Sequence, residues 1–428
     1  MHRLWLANAE EALPKDDPHY EHSFATKTMR IFPRFMLCLK PGDCLVLPAE
    51  IPADFAEYII RLLSLPPRQE SIMRIKPSSE PYTLPDSVLA DKETLSALKA
   101  KISSGEWKIE PFIETSGIVR VSEALDLNTG LTKPELVWHG IINMLNDKGA
   151  FKRLAAALCV PVVPGLEARS LEELKQAIHD SALKYKEIML RKVMYAGGSG
   201  NWHGTEKELL SGIEEWYNGG KVLAEPFLDL SSVAGTLAYL NDEEPVFIGM
   251  DRQVFKNGGW TGFDYPYPAG RGYDKVKEYT ERIAAAIHMA GARGYLNLDW
   301  AFDSASPEDP IVLECNFRSN GFSYVTEFAE KYFGPEWQGM SISCREDIQT
   351  DLKDTKDIIS RFSDVNIDGR PLMITGPGMK EGAVITAPPF FGGFSAAVFS
   401  HDPEFTKTAM EMLMKKGKNY GRQRLFRK

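Results

Sequence analysis

The sequence has few cysteines, and none of them forms a metal-binding pair. Its 428 residues include five scattered cysteines and no C-x-x-C pair, so a structural zinc site is not expected. Thiols in this pattern are typical of a reducing compartment. The N-terminus lacks the long apolar run of a signal peptide, and no apolar stretch reaches the length of a membrane span. These absences predict a cytoplasmic protein without a membrane partner.

The sequence also lacks a surplus of basic residues. Its formal net charge is −9 and its pI is about 5.6, whereas a protein that covers nucleic acid needs a basic surface. Hydrophobic residues make up 43% and charged residues 25%, which is an ordinary globular balance. The length allows two to four domains. We therefore expect a multidomain globular protein with small-molecule partners and no nucleic-acid partner.

The stretch "YLNLDWAFDSASPEDPIVLECNFRSNG" from Tyr295 to Gly321 combines apolar alternation with charged residues. Alternate residues of a strand share a face, and the Ser- and Pro-rich piece "SASPEDP" predicts a turn. A hairpin would have apolar positions Leu296, Leu298, Trp300 and Phe302 on its first strand and Ile311, Leu313 and Cys315 on its second. The opposite faces would carry Asn297, Asp299, Ala301 and Asp303, and Val312, Glu314, Asn316 and Arg318.

The polar faces of this hairpin predict a magnesium site. They would bring together the carboxylates of Asp299 and Glu314, the amide of Asn316 and the guanidinium of Arg318. Oxygen ligands without histidine suit Mg²⁺, which shares its coordination shell with phosphates. The plainer alternative is a surface hairpin with solvated charges, and the E-x-N-x-R order makes that alternative less attractive.

A glycine loop in "EIMLRKVMYAGGSGNWHG" is a candidate phosphate-binding loop. It follows a predicted strand that ends at Lys192, and glycines allow backbone N–H groups to approach phosphate oxygens closely. The loop matches neither the Walker A nor the Rossmann pattern, and it lacks G-x-S-x-G. A second lysine, Lys148, follows a predicted helix cap at Asn146 or Asp147. Taken alone, a "GGSG" loop is as well explained by a simple turn.

The remaining pattern predicts alternating strands and helices. "GDCLVLPAEIPADFAEYIIRLLSL" predicts strand, loop and helix, and a second helix follows over 94–102. "RIKPSSEPYTLPDS" is expected to be a loop and "VPVVPG" a short strand. Capping boxes are expected for Ser170 with Glu173 and for Thr205 with Glu208. Later strands and helices are predicted from "KVLAEPFL", "VAGTLAYL", "VFIGMDRQVF", "DKVKEYTERIAAAIHMAGARG", "GAVITAPPFFGGFSAAVFS" and "DPEFTKTAMEMLMKKGKNYG".

The order of these parts resembles the ATP-grasp ligases. The resemblance covers about residues 145–321, and its most specific parts are "LECNFRSNG" and the lysine followed by the glycine loop. It implies an α/β (α+β) ATP-grasp fold with an N-terminal α/β pre-ATP-grasp domain. The implied domains are the pre-ATP-grasp domain over 1–140, the small grasp subdomain over 141–220, the large subdomain with the metal site over 221–335, and a C-terminal α/β extension over 336–428.

The resemblance also implies roles for individual residues. The expected ATP-binding residues are Lys148 and Lys192 at the phosphates, Gly197, Gly198, Ser199 and Gly200 in the lid loop, and Glu225, Pro226, Phe227 and Leu228 beside the adenine. Asp299, Glu314 and Asn316 would bind two Mg²⁺ ions, for which Mn²⁺ can substitute. Arg318 and Lys192 would be catalytic, with Arg318 and Arg252 as candidates for substrate binding. The ribose contact stays open between Asp229, Ser231 and Ser232.

The implied activity is an ATP-dependent carboxylate–amine ligase of the peptide or amino-acid type. It would form an amide through an acyl phosphate and release ADP and phosphate. One alternative loads an acid onto the thiol of a carrier protein, and another is a nucleotide-binding module without turnover. A homodimer is one oligomeric state that the resemblance implies. The aromatic residues Trp260, Phe263, Tyr265 and Tyr267 could line a substrate pocket or pack internally.

Overall fold

The computed structural model divides the chain into two compact units. It describes residues 1–12, 30–67, 71–76, 83–193, 195 and 200–417. The first unit comprises Met1–Trp138, Thr261–Pro266 and Arg318–Lys428, and the second comprises His139–Trp260 and Tyr267–Phe317. Residues after 317 group with the N-terminal part of the chain, and the predicted domain boundaries at residues 140, 220 and 335 stay predictions.

The strands and helices of the described residues alternate along most of the chain. The strands are β1 (His2–Leu6), β2 (Cys44–Leu47), β3 (Ile72–Arg74), β4 (Trp107–Pro111), β5 (Leu166–Ala168), β6 (Ile188–Lys192), β7 (Asn201–Gly204), β8 (Val222–Pro226), β9 (Leu230–Leu240), β10 (Pro245–Lys256), β11 (Gly259–Tyr265), β12 (Gly294–Asp303), β13 (Ser306–Asn316), β14 (Ser341–Gln349), β15 (Asn366–Ile367), β16 (Arg370–Pro371), β17 (Gly382–Phe390) and β18 (Gly393–Ser400). The helices are α1 (Ala53–Leu63), α2 (Leu84–Ala90), α3 (Lys92–Ile102), α4 (Ser116–Leu125), α5 (Pro134–Trp138), α6 (Ile141–Asn146), α7 (Lys148–Ala157), α8 (Leu171–Ala182), α9 (Glu206–Trp216), α10 (Arg271–Ala290), α11 (Gly321–Phe333), α12 (Thr355–Phe362) and α13 (Pro403–Gly417), with 3-10 turns at Ala9–Ala12, Phe32–Cys38 and Gly334–Gly339.

The first unit begins with a parallel sheet of order β3-β2-β1-β4. Short apolar strands such as β2, "CLVL", are fully buried, as expected where helices cover a parallel sheet. The core between this sheet and its helices includes Leu4, Val46, Val88, Leu98, Ile109 and Ile118. Further along the chain, residues 262–265 of β11 pair antiparallel with β14, which pairs with β18, and β18 pairs with β17.

The second unit contains two antiparallel arrangements of strands. The smaller sheet has the order β5-β8-β6-β7, and its core with α8 and α9 includes Leu174, Ile178, Leu190, Leu209 and Ile213. The larger arrangement runs β13-β12-β9-β10. α10 ends at Ala290 because Gly291 takes a left-handed conformation there.

The hairpin predicted from the sequence is present, with one change of face. β12 and β13 pair antiparallel, and Asp299 lies opposite Glu314. A bulge follows, so that Trp300 lies opposite Val312 and Leu313 is the extra residue. The prediction that Val312 shares the face of Glu314 is therefore wrong, because the bulge breaks strict alternation. The turn is also shorter than predicted, since β13 already begins at Ser306.

Several smaller sequence predictions are corrected. The end of the predicted loop 74–87 is helical, because Thr83 caps α2 by accepting the N–H of Asp86. The segment "VPVVPG" forms only an isolated bridge at Val162 instead of a strand. Ser170 caps α8, but the Glu173 carboxylate accepts the N–H of Arg169, so the capping box is not closed.

Other predicted elements are confirmed. The box of Thr205 with Glu208 is complete, and β2, α1, α3, α10 and α13 form where the patterns predicted them. Within the part of the chain that the structure describes, no helix combines the length and apolar character needed to cross a bilayer.

Two aromatic residues of the first unit pack inside it. Phe263 contacts Phe322 edge-on with ring centroids 5.0 Å apart, and Tyr265 packs on Phe322 and Trp337. In the second unit, Tyr267 stacks on Phe302. For these three aromatic residues the packing interpretation is favoured over a pocket lining.

Candidate active site

Two acidic side chains face each other across β12 and β13 in the second unit. Asp299 and Glu314 are direct cross-strand partners. The Asp299 carboxylate accepts hydrogen bonds from Nε2 of Gln253 at 2.5 Å and from Nδ2 of Asn316 at 3.1 Å. Three of the predicted polar residues of the hairpin, Asp299, Glu314 and Asn316, therefore form one cluster, and Gln253 of β10 extends it.

Two cations lie on the Glu314 carboxylate. Lys148 Nζ is 3.3 Å from Glu314 Oε2 and also donates to the backbone oxygens of Val193, at 3.2 Å, and Tyr195. Arg191 donates to the Glu314 carboxylate and, at 3.3 Å, to the backbone oxygen of Leu313. Asp147 caps α7 by accepting the N–H of Ala150, which places Lys148 at the first helical position.

A second buried ion pair lies beside the first. Lys152, one helical turn after Lys148, donates to the carboxylate of Glu225 on β8, and Glu225 is 3.7 Å from Arg191. Lys148, Lys152 and Glu225 are each 6% exposed or less. Arg191 therefore connects the carboxylate of the small sheet to the carboxylate of the hairpin.

The electrostatics of the carboxylate pair differ for its two members. Burial, together with the charge of Glu314, raises the pKa of Asp299 well above its usual range. Burial opposes ionisation of Glu314 as well, but the charges of Lys148 and Arg191 outweigh it and lower the pKa of Glu314. Burial also lowers the pKa of Lys148. Two buried carboxylates that face one another are stabilised by a shared proton or by a cation.

The donor set suits a hard divalent cation. Two carboxylates and an amide oxygen are ligands that Mg²⁺ accepts while keeping waters and phosphate oxygens in its shell. In the described ranges no group of three or more His, Cys, Asp and Glu side chains could hold a metal by itself. A metal at Asp299, Glu314 and Asn316 would therefore depend on the amide oxygen as well as on the two carboxylates.

The structure brings Arg191, and not Lys192, to this cluster. Neighbouring residues of a strand point to opposite faces, and the Lys192 ammonium lies over the rings of Trp216 and Tyr195, 4.7 Å and 5.4 Å from their centroids. Gly200 accepts the Lys192 N–H. A side chain at position 200 would come too close to Lys192 and Tyr195, and the backbone angle φ of Gly200 is +75°. Both features favour glycine at this position. Of the predicted lid loop, Gly197, Gly198 and Ser199 lie outside the described residues.

The predicted adenine segment turns from buried to exposed. Glu225 is buried in the ion pairs described above, Pro226 and Leu228 are half-buried, and Phe227 is exposed. The Phe227 ring stacks on His203 with centroids 4.3 Å apart. The two candidate ribose-contacting hydroxyls have partners, since Ser231 donates to Phe302 and Ser232 bonds with Tyr267.

The two predicted substrate arginines are placed differently. Arg252 is exposed on β10, on the face opposite to that of its neighbour Gln253. Arg318 belongs to the first unit, where its guanidinium lies 5.6 Å from the centroid of Phe112. The structure therefore does not add Arg252 to the cluster of Asp299 and Glu314.

Two residues of the cluster that the motif pattern missed, Lys152 and Arg191, have a recognisable position in the sequence. Lys152 lies four residues after Lys148, a spacing that places both on one helix face. Arg191 sits beside the expected Lys192, and the alternation of β6 separates the two. Gln253 had no local signal, because its contact with Asp299 depends on the order of the strands.

The chain is similar to proteins with the ATP-grasp fold. Residues 32–127 match the family model described as Pre ATP-grasp domain, and no curated protein matches the sequence significantly. N5-carboxyaminoimidazole synthase from Aspergillus clavatus, in complex with ADP and 5-aminoimidazole ribonucleotide, superposes with a TM-score of 0.61 at 10% identity, over 97% of this chain and 98% of the other.

Two further solved structures are similar to the chain in fold. N5-carboxyaminoimidazole synthetase from Staphylococcus aureus, complexed with ADP, gives a TM-score of 0.57 at 12% identity over 96% of each chain. The biotin carboxylase domain of 2-oxoglutarate carboxylase from Hydrogenobacter thermophilus, in complex with MgADP and bicarbonate, gives 0.58 at 14% identity, over 96% of this chain and 89% of the other. The chain therefore has the ATP-grasp fold, with a pre-ATP-grasp domain in residues 32–127, as the resemblance of its motifs predicted.

Proposed function

We propose that the protein is an ADP-forming ligase that joins a carboxylate to an amine and uses ATP with Mg²⁺. The observation that carries this proposal is the cluster in the second unit. Asp299, Glu314 and Asn316 supply metal-ligand oxygens directly beside the buried cations Lys148 and Arg191. Phosphoryl transfer needs alignment and charge neutralisation more than it needs covalent help from the protein.

Each residue of the cluster has a role in this proposal. Asp299, Glu314 and Asn316 would hold one or two divalent ions, which when bound offset the charge of the ATP phosphates. Lys148 and Arg191 would bind phosphate oxygens, since buried cations already offset by carboxylates can exchange those partners for an anion. Phe227 and its neighbours in 225–228 would lie beside the adenine, and Arg318 would hold the substrate carboxylate.

The proposed chemistry has two bond-forming steps. A carboxylate oxygen of the substrate attacks the γ-phosphorus of ATP, the bond from that phosphorus to the bridging oxygen breaks, and ADP leaves. The amine nitrogen then attacks the carbonyl carbon of the acyl phosphate. The bond between that carbon and the phosphate oxygen breaks, phosphate leaves and the amine loses a proton.

The class of substrates is proposed from the pattern of motifs and from the similar structures. Those structures are named for reactions on small molecules and contain ADP, 5-aminoimidazole ribonucleotide or bicarbonate. For this chain we favour an amino acid or another small organic acid as the carboxylate and a small amine as the acceptor. Bicarbonate belongs among the tested acids.

The experiment is a screen for release of phosphate from ATP with Mg²⁺. Amino acids, other small acids and bicarbonate are supplied singly and in pairs with amines, and products are identified by mass spectrometry. We expect phosphate release that depends on one pair, together with a product whose mass equals the two substrates less one water.

A matched pair of variants on β13 provides the control. Glu314→Gln removes a proposed metal ligand. Glu308→Gln changes an exposed carboxylate on the same strand, which pairs with Arg271 of α10. Activity should be lost in the first variant and kept in the second. Equal activity in both variants would refute the role of the cluster.

The remaining outcomes select between the alternatives. Phosphate release by one acid only when hydroxylamine is present, with formation of a hydroxamate, would show an acyl phosphate whose natural acceptor is missing, and a carrier-protein thiol would be tested next. Binding of ATP without turnover across the whole screen would overturn the ligase proposal in favour of a nucleotide-binding module.

A further inference from the structure

Gln253 is a residue of the second unit to which the proposed function gives no role. It is half-buried on β10, and its Nε2 donates to Oδ1 of Asp299 at 2.5 Å. Asp299 lies on β12, and β9 separates that strand from β10. The side chain of Gln253 therefore crosses a whole strand to reach a proposed metal ligand.

The crossing takes place at a glycine of β9. Gly235 pairs with Asp299 of β12 on one side and with Asp251 of β10 on the other, and paired residues of neighbouring strands share a face of the sheet. Gln253 follows Asp251 by two residues, so its side chain is on that face as well. A Cβ atom at position 235 would lie 3.1 Å from Nε2 of Gln253 and 3.1 Å from Oδ1 of Asp251. The missing side chain of Gly235 therefore leaves the space through which Gln253 reaches Asp299.

The donors on Asp299 differ in charge from those on Glu314. The Glu314 carboxylate pairs with the cations Lys148 and Arg191, whereas the donor that β10 brings to Asp299 is the neutral amide of Gln253. A neutral donor fixes the direction of a carboxylate without adding a positive charge beside it. This kind of donor suits a carboxylate whose charge attracts a metal ion.

Two amides hold the two oxygens of Asp299. Gln253 donates to Oδ1, and Nδ2 of Asn316 donates to Oδ2 at 3.1 Å. Donors on both oxygens fix the plane of the carboxylate. Groups that orient a metal ligand in this way change the affinity for the metal about 10- to 100-fold when they are removed. Asn316 is itself a proposed ligand, whereas Gln253 meets the site through Asp299.

We propose that Gln253 is a positioning residue, which holds the Asp299 carboxylate in the orientation that binds a divalent cation. Gly235 is part of the same arrangement, because a larger residue there would occupy the path of Gln253. This inference rests on the proposed function, since it requires Asp299 as a metal ligand.

The test measures metal binding and does not need turnover. The full-length protein is titrated with Mn²⁺ in the presence of ADP, and free Mn²⁺ is followed by electron paramagnetic resonance. Gln253→Met keeps a side chain of similar length and removes the donor, so we expect it to raise the Kd for Mn²⁺ about 10- to 100-fold. The Kd for ATP without metal should change about threefold or less, equivalent to under about 0.7 kcal/mol, because Gln253 is not a proposed phosphate ligand.

A second variant approaches the same contact from β9. Gly235→Ala places a Cβ atom in the path of Gln253, so it should also raise the Kd for Mn²⁺. Because both changes break one contact, the double variant should have about the same Kd as Gln253→Met alone. Fully additive effects would show that the alanine acts elsewhere and would overturn the role of Gly235.

A second glutamine of the same unit provides a matched control. Gln176 on α8 donates from Nε2 to Oδ1 of Asp180 at 2.8 Å, in an exposed position. Gln176→Met should keep the wild-type Kd for Mn²⁺. Thermal unfolding of each variant separates folding from metal binding. A lower Tm of Gln253→Met with an unchanged Kd for Mn²⁺ would show a merely structural role and overturn the inference.

Asp299→Asn separates this inference from the proposed function. If Asp299→Asn weakens Mn²⁺ binding and Gln253→Met does not, the positioning role is overturned and the metal site remains. If neither variant weakens it, the metal role of Asp299 fails, and the inference fails with it. The expected loss of affinity in both variants of a protein that releases no phosphate with any substrate pair would support the positioning role and refute the ligase.

Discussion

Exchange of one of two neighbouring cations on β6 provides a direct test of the site. Arg191 contacts the carboxylates of Glu314 and Glu225, whereas Lys192 lies over the rings of Trp216 and Tyr195. The resemblance assigns a phosphate role to Lys192, and we propose the same role for Arg191 because it contacts the Glu314 carboxylate. We expect Arg191→Met to weaken ATP binding strongly and Lys192→Met to weaken it little.

The size of the effect follows from the kind of interaction that is lost. A hydrogen bond between a charged donor and an anion contributes about 1.5–3 kcal/mol net, which corresponds to about a 10- to 150-fold increase in the Kd for ATP. The Lys192 ammonium lies over the rings of Trp216 and Tyr195, and neighbouring residues of a strand point to opposite faces, so we expect Lys192 to contribute less than Arg191 beside Glu314. For Lys192→Met we expect about a threefold change or less, equivalent to under about 0.7 kcal/mol.

The assay is calorimetric titration of the protein with ATP and Mg²⁺, repeated without metal. The titration without metal separates phosphate binding by Arg191 from an indirect effect on Glu314 as a metal ligand. Circular dichroism of both variants checks that each is folded. A larger loss of affinity in Lys192→Met than in Arg191→Met would refute the assignment of Arg191 and restore the sequence-based role of Lys192.

Two further predictions concern buried charges. Glu225→Leu should lower the free energy of unfolding by about 3–5 kcal/mol because it leaves Lys152 buried without its partner. The double variant Lys152→Met with Glu225→Leu should recover much of that free energy. An equal loss in the single and double variants, measured by urea unfolding, would contradict the pairing. Burial raises the pKa of Glu327, but Lys331 and Arg3 outweigh it and hold that pKa far below its usual value. The stabilisation is therefore complete above the unfolded pKa near 4.5 and is lost as the pH falls toward the folded value. Glu327→Gln should accordingly lower stability at neutral pH and reduce the steepness of acid unfolding below about pH 4.5; an unchanged acid profile would contradict this account.

The hairpin shows how much of the site a single sequence can predict. Alternation of apolar and polar residues is a local property, so it located both strands and brought Asp299, Glu314 and Asn316 together correctly. The same holds for helix starts with a capping residue, such as Asp147 before Lys148. The fold class itself was predicted from the resemblance of the ordered motifs to the ATP-grasp ligases, and the similar structures confirm it.

What the sequence could not predict depends on contacts between distant segments. The bulge at Leu313 shifts the register of β13 and moves Val312 to the other face. The partner of Asp299 on β10, Gln253, follows from a strand order that no local pattern encodes. For the same reason the choice between Arg191 and Lys192 needed the pairing of β6, because either residue satisfies a motif that asks for a cation before a glycine loop.

The buried charges of the second unit explain why such a site can fold before any nucleotide binds. Lys148, Arg191 and Lys152 would be costly to bury alone, and Glu314 and Glu225 compensate them directly. The same carboxylates are then available for a metal, and the same cations for phosphate oxygens. A site built in this way exchanges internal ion pairs for ligand contacts, so the free energy gained on binding ATP is the difference between two strong sets of interactions. For this reason a charge removed from either set should affect folding and ATP binding together, whereas Lys192, which lies outside both sets, should affect neither strongly.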